Sequence, residues 1–407
     1  MRVLIPFLIL ALLPACVAAN VERSARPLPR PAPAAAPALP AGSFEVWRTG
    51  FETRARAAGI TQTTLDTARP HLRLLPETVA LDSRQSEFGA RVWDYMDSAV
   101  TSQRIQAGRA AMTRHAQTLT QIEARFGVPP EIVAAIWGVE TSYGANRGNT
   151  PILATLATLA KDGRRAAFFE GELIAALRMV QLGKVTPARF TGSWAGAFGH
   201  TQFMPTSYLT YAVPLSGSGV ADVWSDNPAD ALASAANYLA KRGWTRGQPW
   251  AQEVVLPSGF DLGLTGQRRS DWSSLGVTAV RGALSQAPAR LLLPGGARGP
   301  AFLAYGNYDV LKEYNISDAY VLAVGHLSDR LAGAGGLRGL WPRSDRALTL
   351  DERIEVQRIL NAQGYDTAGV DGRHGPATVA AVQAWQKANG LPPDGYINAD
   401  LLARLRR

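Results

Sequence analysis

Apolar residues recur at three- and four-residue spacing from Phe44 to about Lys184, a helical period interrupted by glycine and proline. Within it, Gly89–Phe126 is rich in Arg, Gln and Ala and predicts one or two long helices. The pattern then changes. Gly192–Asp230 carries many glycines and aromatics and predicts a loop-rich stretch, followed by a helix over Pro228–Arg242 that stops at Gly243. From Gln252 to Leu293 the spacing shortens, and Glu253–Leu256 and Arg290–Leu293 predict strands of a small sheet. Helix returns over Ala319–Leu331. Gly333–Gly336 and Trp341-Pro342 mark a linker, residues 333–346. Beyond it, residues 347–407 place helices around Ile354–Ala362 and Thr378–Asn389, joined through Asp371-Gly372 and followed by Asp394-Gly395. That is enough for a three-helix bundle. The pattern as a whole predicts a mainly α (α+β) protein: a large helical domain with a small β subdomain over residues 43–332, then the bundle.

The N-terminus departs from this pattern. Arg2 precedes the apolar run Val3–Leu13 and the small-residue stretch Ala15–Ala19, the layout of an export signal over residues 1–19 and too short to span a bilayer. Cys16 is the only cysteine, so no intrachain disulfide can form. Leu13-Pro14-Ala15-Cys16 resembles the lipobox of bacterial lipoproteins, although proline two residues before the cysteine is atypical. That resemblance implies a lipidated Cys16, an outer-membrane anchor and a periplasmic location. The alternative is cleavage after Ala18 or Ala19, with Cys16 discarded. Residues 20–42 hold Pro27, Pro29, Pro31, Pro33, Pro37 and Pro40 among alanines and arginines. Such a segment runs as extended polyproline II, and about twenty residues at ~3.1 Å each reach roughly 60 Å.

The most informative position is Glu140. Pro129 and Pro130 open a helix in which Val133, Ile136, Trp137 and Glu140 share the apolar stripe, so the carboxylate faces the core. Gly144, Asn146, Gly148 and Asn149 end that helix within about a turn, placing Glu140 near the negative end of the helix dipole. Apolar surroundings and the dipole both favour the protonated form, which is what a general acid requires. The competing reading is a buried ion pair with Arg125, Arg147 or Arg164. Asp162, Glu170 and Glu172 lie near enough in sequence to supply a second carboxylate.

Two further blocks make the reading specific. Gly192–Tyr208 (Gly192-Ser193-Trp194-Ala195-Gly196 through Gln202-Phe203-Met204-Pro205) is a glycine-aromatic loop, and Val223-Trp224, Asn227-Pro228, Ala235–Leu239 and Gly243-Trp244 follow. With Asp82–Phe88 before them and Tyr314-Asn315 after, these motifs resemble the membrane-bound lytic transglycosylase B family over about Phe44–Leu331. The resemblance implies a lysozyme-like catalytic domain that cleaves bacterial peptidoglycan, with Glu140 as the single catalytic acid. It also implies that Ser193, Gln202, Tyr238, Tyr314, Asn315 and Tyr320 line the sugar cleft, while Phe203 and Met204 are structural. In the tail, Val356–Leu360, Gly364-Tyr365, Val370–Pro376, Thr378, Ala381–Gln386, Gly390-Leu391 and Asp394-Gly395 resemble the small peptidoglycan-binding domain, with His374 where an aromatic is more usual.

The implied reaction is transfer of a proton from Glu140 to the glycosidic oxygen between N-acetylmuramic acid and N-acetylglucosamine. Attack by the muramoyl C6 hydroxyl on its own C1 then gives a 1,6-anhydro end. A muramidase hydrolysing the same bond and a catalytically silent wall-binding protein are the alternatives. The partners expected are peptidoglycan strands and, for the anchor, a lipid surface. The formal charge is +9, but no basic run or recognised motif points to nucleic acid. No cofactor is expected. Family members with an EF-hand-like calcium loop carry acids where Pro214, Ser216, Ser218 and Val220 stand here, and five scattered histidines make no zinc set. A single catalytic chain implies a monomer.

Overall fold

The computed structural model describes residues 44–83, 91–162, 165–215, 217 and 219–407. The signal, Cys16 and the proline-rich spacer lie outside the described residues, as do Arg164, Ser216 and Ser218.

The centre of the molecule is the apolar helix Pro130–Thr141, whose Ile132–Gly138 stretch is buried. Such a helix needs neighbours on all sides. It packs against Ser102–Arg114, Ala116–Phe126, Ala229–Lys241 and Asp318–Leu331, and Ile152–Asp162 pairs with Ala166–Gln181 beside it. One continuous core joins them, with Ile136, Ile152, Leu173, Leu232, Leu322 and Val324 fully buried.

The stretch expected to hold one or two long helices holds three: Val92–Ala99, Ser102–Arg114 and Ala116–Phe126. The first break comes at Val100-Thr101, where the Thr101 hydroxyl caps the next helix by accepting from Arg104 N. The second is a kink at His115, where no proline or glycine announces it.

The predicted strands are present as Ala251–Val255 and Ala289–Leu292, in a five-stranded antiparallel sheet. Arg268–Arg269, Ala289–Leu292, Ala301–Ala304, Ala251–Val255 and Thr278–Ala279 follow each other across it, with Leu291 opposite Leu303 and Glu253 opposite Phe302. This sheet has a satellite core of Val254, Trp272, Leu291, Leu303 and Tyr305.

The tail forms the expected three helices, Leu350–Ala362, Pro376–Ala388 and Ala399–Leu405, around Val356, Leu360, Val382, Trp385 and Leu402. Its two Asp-Gly turns are held alike. Gln357 Oε1 accepts from Asp371 N and Gly372 N, and Gln386 Oε1 accepts from Gly395 N while its amide donates to Asp394. Gly372 and Gly395 have φ of 69° and 71°, a region where a side chain is strained.

The segment 333–346 is docked onto the body. Arg338 N and Gly339 N donate to Glu253, Arg343 pairs with Asp97, and the Trp341 ring tilts against Trp93 at 5.7 Å. Further along, Asp345 takes Arg298 and Asn398, and Asp394 of the bundle accepts from Ala297 N at 2.9 Å. Composition marks this segment by its breakers. It could not show the ion pairs, because their partners lie some 50 to 250 positions away.

Candidate active site

Glu140 is the last residue but one of its helix, and it is half-buried, not fully enclosed like Val133 and Ile136 above it. The helix stops sooner than its downstream glycines suggest. Ser142 and Tyr143 take φ of 51° and 59° and Gly144 follows at 87°, three successive left-handed residues. Ser142 N and Tyr143 N bond back to the carbonyls of Gly138 and Trp137, satisfying the helix end. Left-handed backbone at a non-glycine residue costs on the order of 1 kcal/mol and persists only where its surroundings impose it.

The surroundings do impose it. The Thr141 hydroxyl donates to His200 O at 2.7 Å and accepts from Gly144 N at 3.0 Å. Tyr143 turns its ring back under the helix, and its hydroxyl donates to Arg104 O at 2.9 Å. A Cβ at Gly138 would stand 2.6 Å from that ring, and one at Gly108 would stand 2.2 Å from its oxygen. Two glycines inside helices are therefore the seat of Tyr143, whose hydroxyl burial pushes well above the ordinary phenol range and keeps neutral.

Across the cleft, the Tyr320 hydroxyl donates to Glu140 Oε1 at 2.7 Å. Tyr320 lies in the first turn of Asp318–Leu331, a helix capped by Ser317, whose oxygen accepts from Tyr320 N. Asn315 fixes this entry, its side-chain oxygen accepting from Ser317 N at 3.0 Å. Burial first, and the Glu140 charge second, hold both Tyr320 and Tyr314 well above the ordinary phenol range. Both are therefore donors at every pH at which the protein works. Tyr314 donates to Thr201 O at 2.6 Å and meets Tyr238 edge to face at 5.1 Å, while Tyr238 donates to Glu313 O. Tyr314, Tyr238 and Tyr211, which packs on Tyr238 at 4.6 Å, form one aromatic wall.

The glycine-aromatic loop faces that wall. Thr150–Pro151, just after the Glu140 turn, pairs with Thr191–Gly192, and Gly148 lies against Gly192 so closely that a Cβ would reach 2.2 Å from its carbonyl. Ser193 follows, its hydroxyl accepting from Ala197 N. Phe198 and Phe203 close a tight hairpin whose tip holds Gln202 at φ 51°, with the Gln202 amide donating to Gly199 O and Arg147 O. Phe203 is buried, and Met204 packs partly buried on the core.

Of the arginines near in sequence, Arg147 pairs with Asp226 and donates to Trp224 O and Ser225 O, and Arg125 lies over Phe126. Of the nearby acids, Glu170 is paired with Arg54, and Glu172 accepts from the Thr206 backbone and hydroxyl. The side chain of Asp162 is outside the described residues. Leu215 N and Asp222 N, on either side of the segment without acids, both donate to Asp230.

Sequence reasoning did not single out His200. Its Nδ1 accepts from the Trp137 indole at 3.1 Å and its Nε2 lies 2.8 Å from Ser225 O, which fixes the proton on Nε2. Burial, then Arg147, lowers its pKa against the bond to Ser225, so the ring is neutral. His200 ties the Glu140 helix to the hairpin. Its only sequence signal was a histidine within a loop of glycines, which spacing alone cannot tell from a surface residue.

A carboxylic acid at the end of a buried helix, bonded by Tyr320 and opposed by a tyrosine wall and a glycine-aromatic loop, marks a lysozyme-like domain. Residues 43–329 match the Transglycosylase SLT domain and residues 349–405 a peptidoglycan binding domain. The chain belongs to the transglycosylase SLT family. It is 36% identical over 245 residues to the membrane-bound lytic murein transglycosylase B of Escherichia coli K12, a match covering 58% of this chain and 66%, just under two thirds, of that protein. Among solved structures, SltB3 of Pseudomonas aeruginosa in complex with NAG-anhNAM-pentapeptide is 44% identical, covers 90% of this chain and 100% of its own, and superposes with a TM-score of 0.85. Slt35 of Escherichia coli, in complex with calcium, is 32% identical, covering 70% of this chain and 92% of its own, with a TM-score of 0.60.

Proposed function

We propose that this chain is a lytic transglycosylase that cleaves the bond between N-acetylmuramic acid and N-acetylglucosamine in peptidoglycan and leaves 1,6-anhydromuramoyl ends. The hydrogen bond from Tyr320 to Glu140 Oε1 carries the reading. It occupies one carboxyl oxygen and orients the other, Oε2, as the proton donor. Glu140 stands half-buried in the last turn of its helix.

Glu140 gives its proton to the glycosidic oxygen as the bond to C1 breaks. The carboxylate, still bonded by Tyr320, takes the proton of the muramoyl C6 hydroxyl as that oxygen bonds to C1. Atoms balance without water, and one acid acts twice. A hydrolase would need a second group to direct water. Glu170 and Glu172, the neighbouring acids with described side chains, are engaged elsewhere.

Tyr314, with the buried Tyr238 packed behind it, offers aromatic surface to sugar faces, and Ser193, Gln202 and Asn315 offer polar atoms to ring substituents. The relative from Pseudomonas aeruginosa has been captured with NAG-NAM-pentapeptide and with its anhydro form, which supports peptide-bearing strands as the substrate. The bundle then serves to hold the wall. Cys16 as a lipid anchor, with residues 20–42 as spacer, places a monomeric enzyme at the periplasmic face of the outer membrane. Incorporation of labelled palmitate that Cys16→Ala abolishes checks the anchor. Zymography against murein checks the activity: the chain should clear the gel, and Glu140→Gln, folded and with unchanged melting, should not.

A further inference from the structure

A second polar site lies between the helices Ser102–Arg114 and Asp318–Leu331. A cavity of about 280 Å³ there is lined by Ser102, Ile105, Gln106, Arg109 and Arg330. Ser102, Ile105, Gln106 and Arg109 lie at helical spacing on one face of their helix, and Arg330 comes from the last turn of the other. Two features set this cavity apart from an ordinary surface groove.

The first is uncompensated charge. Some surface arginines of this protein pair with an acid, as Arg54, Arg91, Arg298 and Arg343 do. Among the described residues, neither Arg109 nor Arg330 has a carboxylate within ion-pair distance. The second is an unsatisfied donor: Arg330 Nε is buried and has no hydrogen-bond partner among the described residues. A buried guanidinium N–H without an acceptor is costly, and its acceptor would have to come from a water or a ligand. Arg109 donates one N–H to the backbone O of Arg330 at 2.7 Å, which ties its guanidinium to the end of the other helix and leaves Arg109 further donors. The remaining lining is neutral: Ser102 and Gln106 add hydrogen-bonding groups, and Ile105 adds an apolar floor.

We infer that this cavity is a carboxylate-binding subsite for the peptide that hangs from the glycan strand, with Arg109 and Arg330 as the residues that take the carboxylate. The inference rests on the peptidoglycan reading above. The distance suits it. Tyr320, which touches Glu140, and Arg330 are ten residues apart on one helix, a rise of about 15 Å. An extended peptide covers that span in four or five residues at ~3.3 Å each. The two sites are also mechanically joined, because Tyr143, in the turn after Glu140, is seated on Arg104 and Gly108 of the helix that carries Arg109.

The test compares two substrates on the full chain: strands with their peptides intact, and strands from which an amidase has removed them. Arg109→Gln and Arg330→Gln should raise KM for peptide-bearing strands about tenfold, the loss of one charge-assisted pair, and leave cleavage of peptide-free strands unchanged. Equal effects on both substrates, or none on either, overturn the subsite. Should the wild-type chain cleave neither substrate, the functional reading itself fails, and calorimetry with the free stem peptide decides the subsite separately. Binding weakened about tenfold by Arg330→Gln, and by amidation of the peptide carboxylates, supports it. Binding indifferent to both changes overturns it. Arg109 is exposed, so its variant keeps the test valid if Arg330→Gln lowers stability.

Discussion

The Tyr320 hydroxyl lies 2.7 Å from Glu140 Oε1, so a buried phenol that stays protonated holds a carboxylic acid at the end of its helix. A hydrogen bond to a charged group is worth about 1.5–3 kcal/mol. Tyr320→Phe keeps the ring and removes only this bond. The expected outcome is a fall in kcat of about 10- to 100-fold with KM little changed, since the bond matters most when Glu140 is ionised after proton transfer. Steady-state kinetics on a soluble muropeptide checks it.

Gly138, two residues before Glu140 on the same helix, seats the turn that follows the acid. Its absent side chain is the space filled by the Tyr143 ring. Gly138→Ala forces the ring out or bends the helix, an overpacking cost of about 1–3 kcal/mol. The variant should melt several degrees lower and lose activity, whereas Gly171→Ala, with open space around its Cα, should do neither. Thermal melts and zymography of the pair separate the two cases.

His326 and Asp329 make opposing contributions to stability in acid. Burial first, then Arg330 and Arg281, pushes His326 down to about 4, so between the unfolded value near 6.5 and 4 the unfolded chain binds the extra proton. Stability from this group is present above that window and is lost as the pH falls through it. Asp329 is pushed up to about 6 by burial, against the Trp250 hydrogen bond and Arg281. Its contribution runs the other way: present below the unfolded carboxylate value near 3.8, it is lost as the pH rises through 6. Each window is worth up to about 3 kcal/mol, and they nearly cancel between pH 7 and 4. Relative to wild type, Asp329→Asn should lose stability on acidification and His326→Gln should gain it. Denaturant titrations at pH 7, 5.5 and 4 check the signs.

The bundle is held to the body by few polar contacts, with Asp345 at their centre. Arg298 reaches Asp345 from the sheet side at 2.8 Å and Asn398 from the bundle at 3.0 Å, and Asp394 adds its bond to Ala297 N. Asp345→Ala removes the shared acceptor. The bundle has its own apolar core and should then melt as a separate transition in calorimetry, where the wild type should give one coupled transition.

The fold was legible where one residue class decided the outcome. Period-3.6 apolar spacing marked the Pro130–Thr141 helix, and Asp-Gly pairs marked the bundle turns. It was less legible where a long-range contact decided. The break at His115 carries no local breaker. The stop at Ser142 comes from tertiary contacts to His200 and Arg104, residues 59 and 39 positions from their partners. In the site, Glu140 was legible because an acid on an apolar stripe violates the helical pattern. Of the residues expected in the cleft, Tyr320 touches Glu140, while Asn315 and Ser193 spend hydrogen bonds on shaping their own turns. Spacing does not distinguish those tasks. Tyr143 and His200 stayed hidden because their roles depend on glycines and carbonyls on other elements.

The central claim is that Glu140 alone serves as acid and then base. Mass spectrometry of the fragments released from purified peptidoglycan tests it most directly. The account predicts muropeptides lighter by one water and ending in 1,6-anhydromuramic acid, absent with Glu140→Gln. Reducing muramic acid ends would contradict it, because they require a water and a second group to direct it.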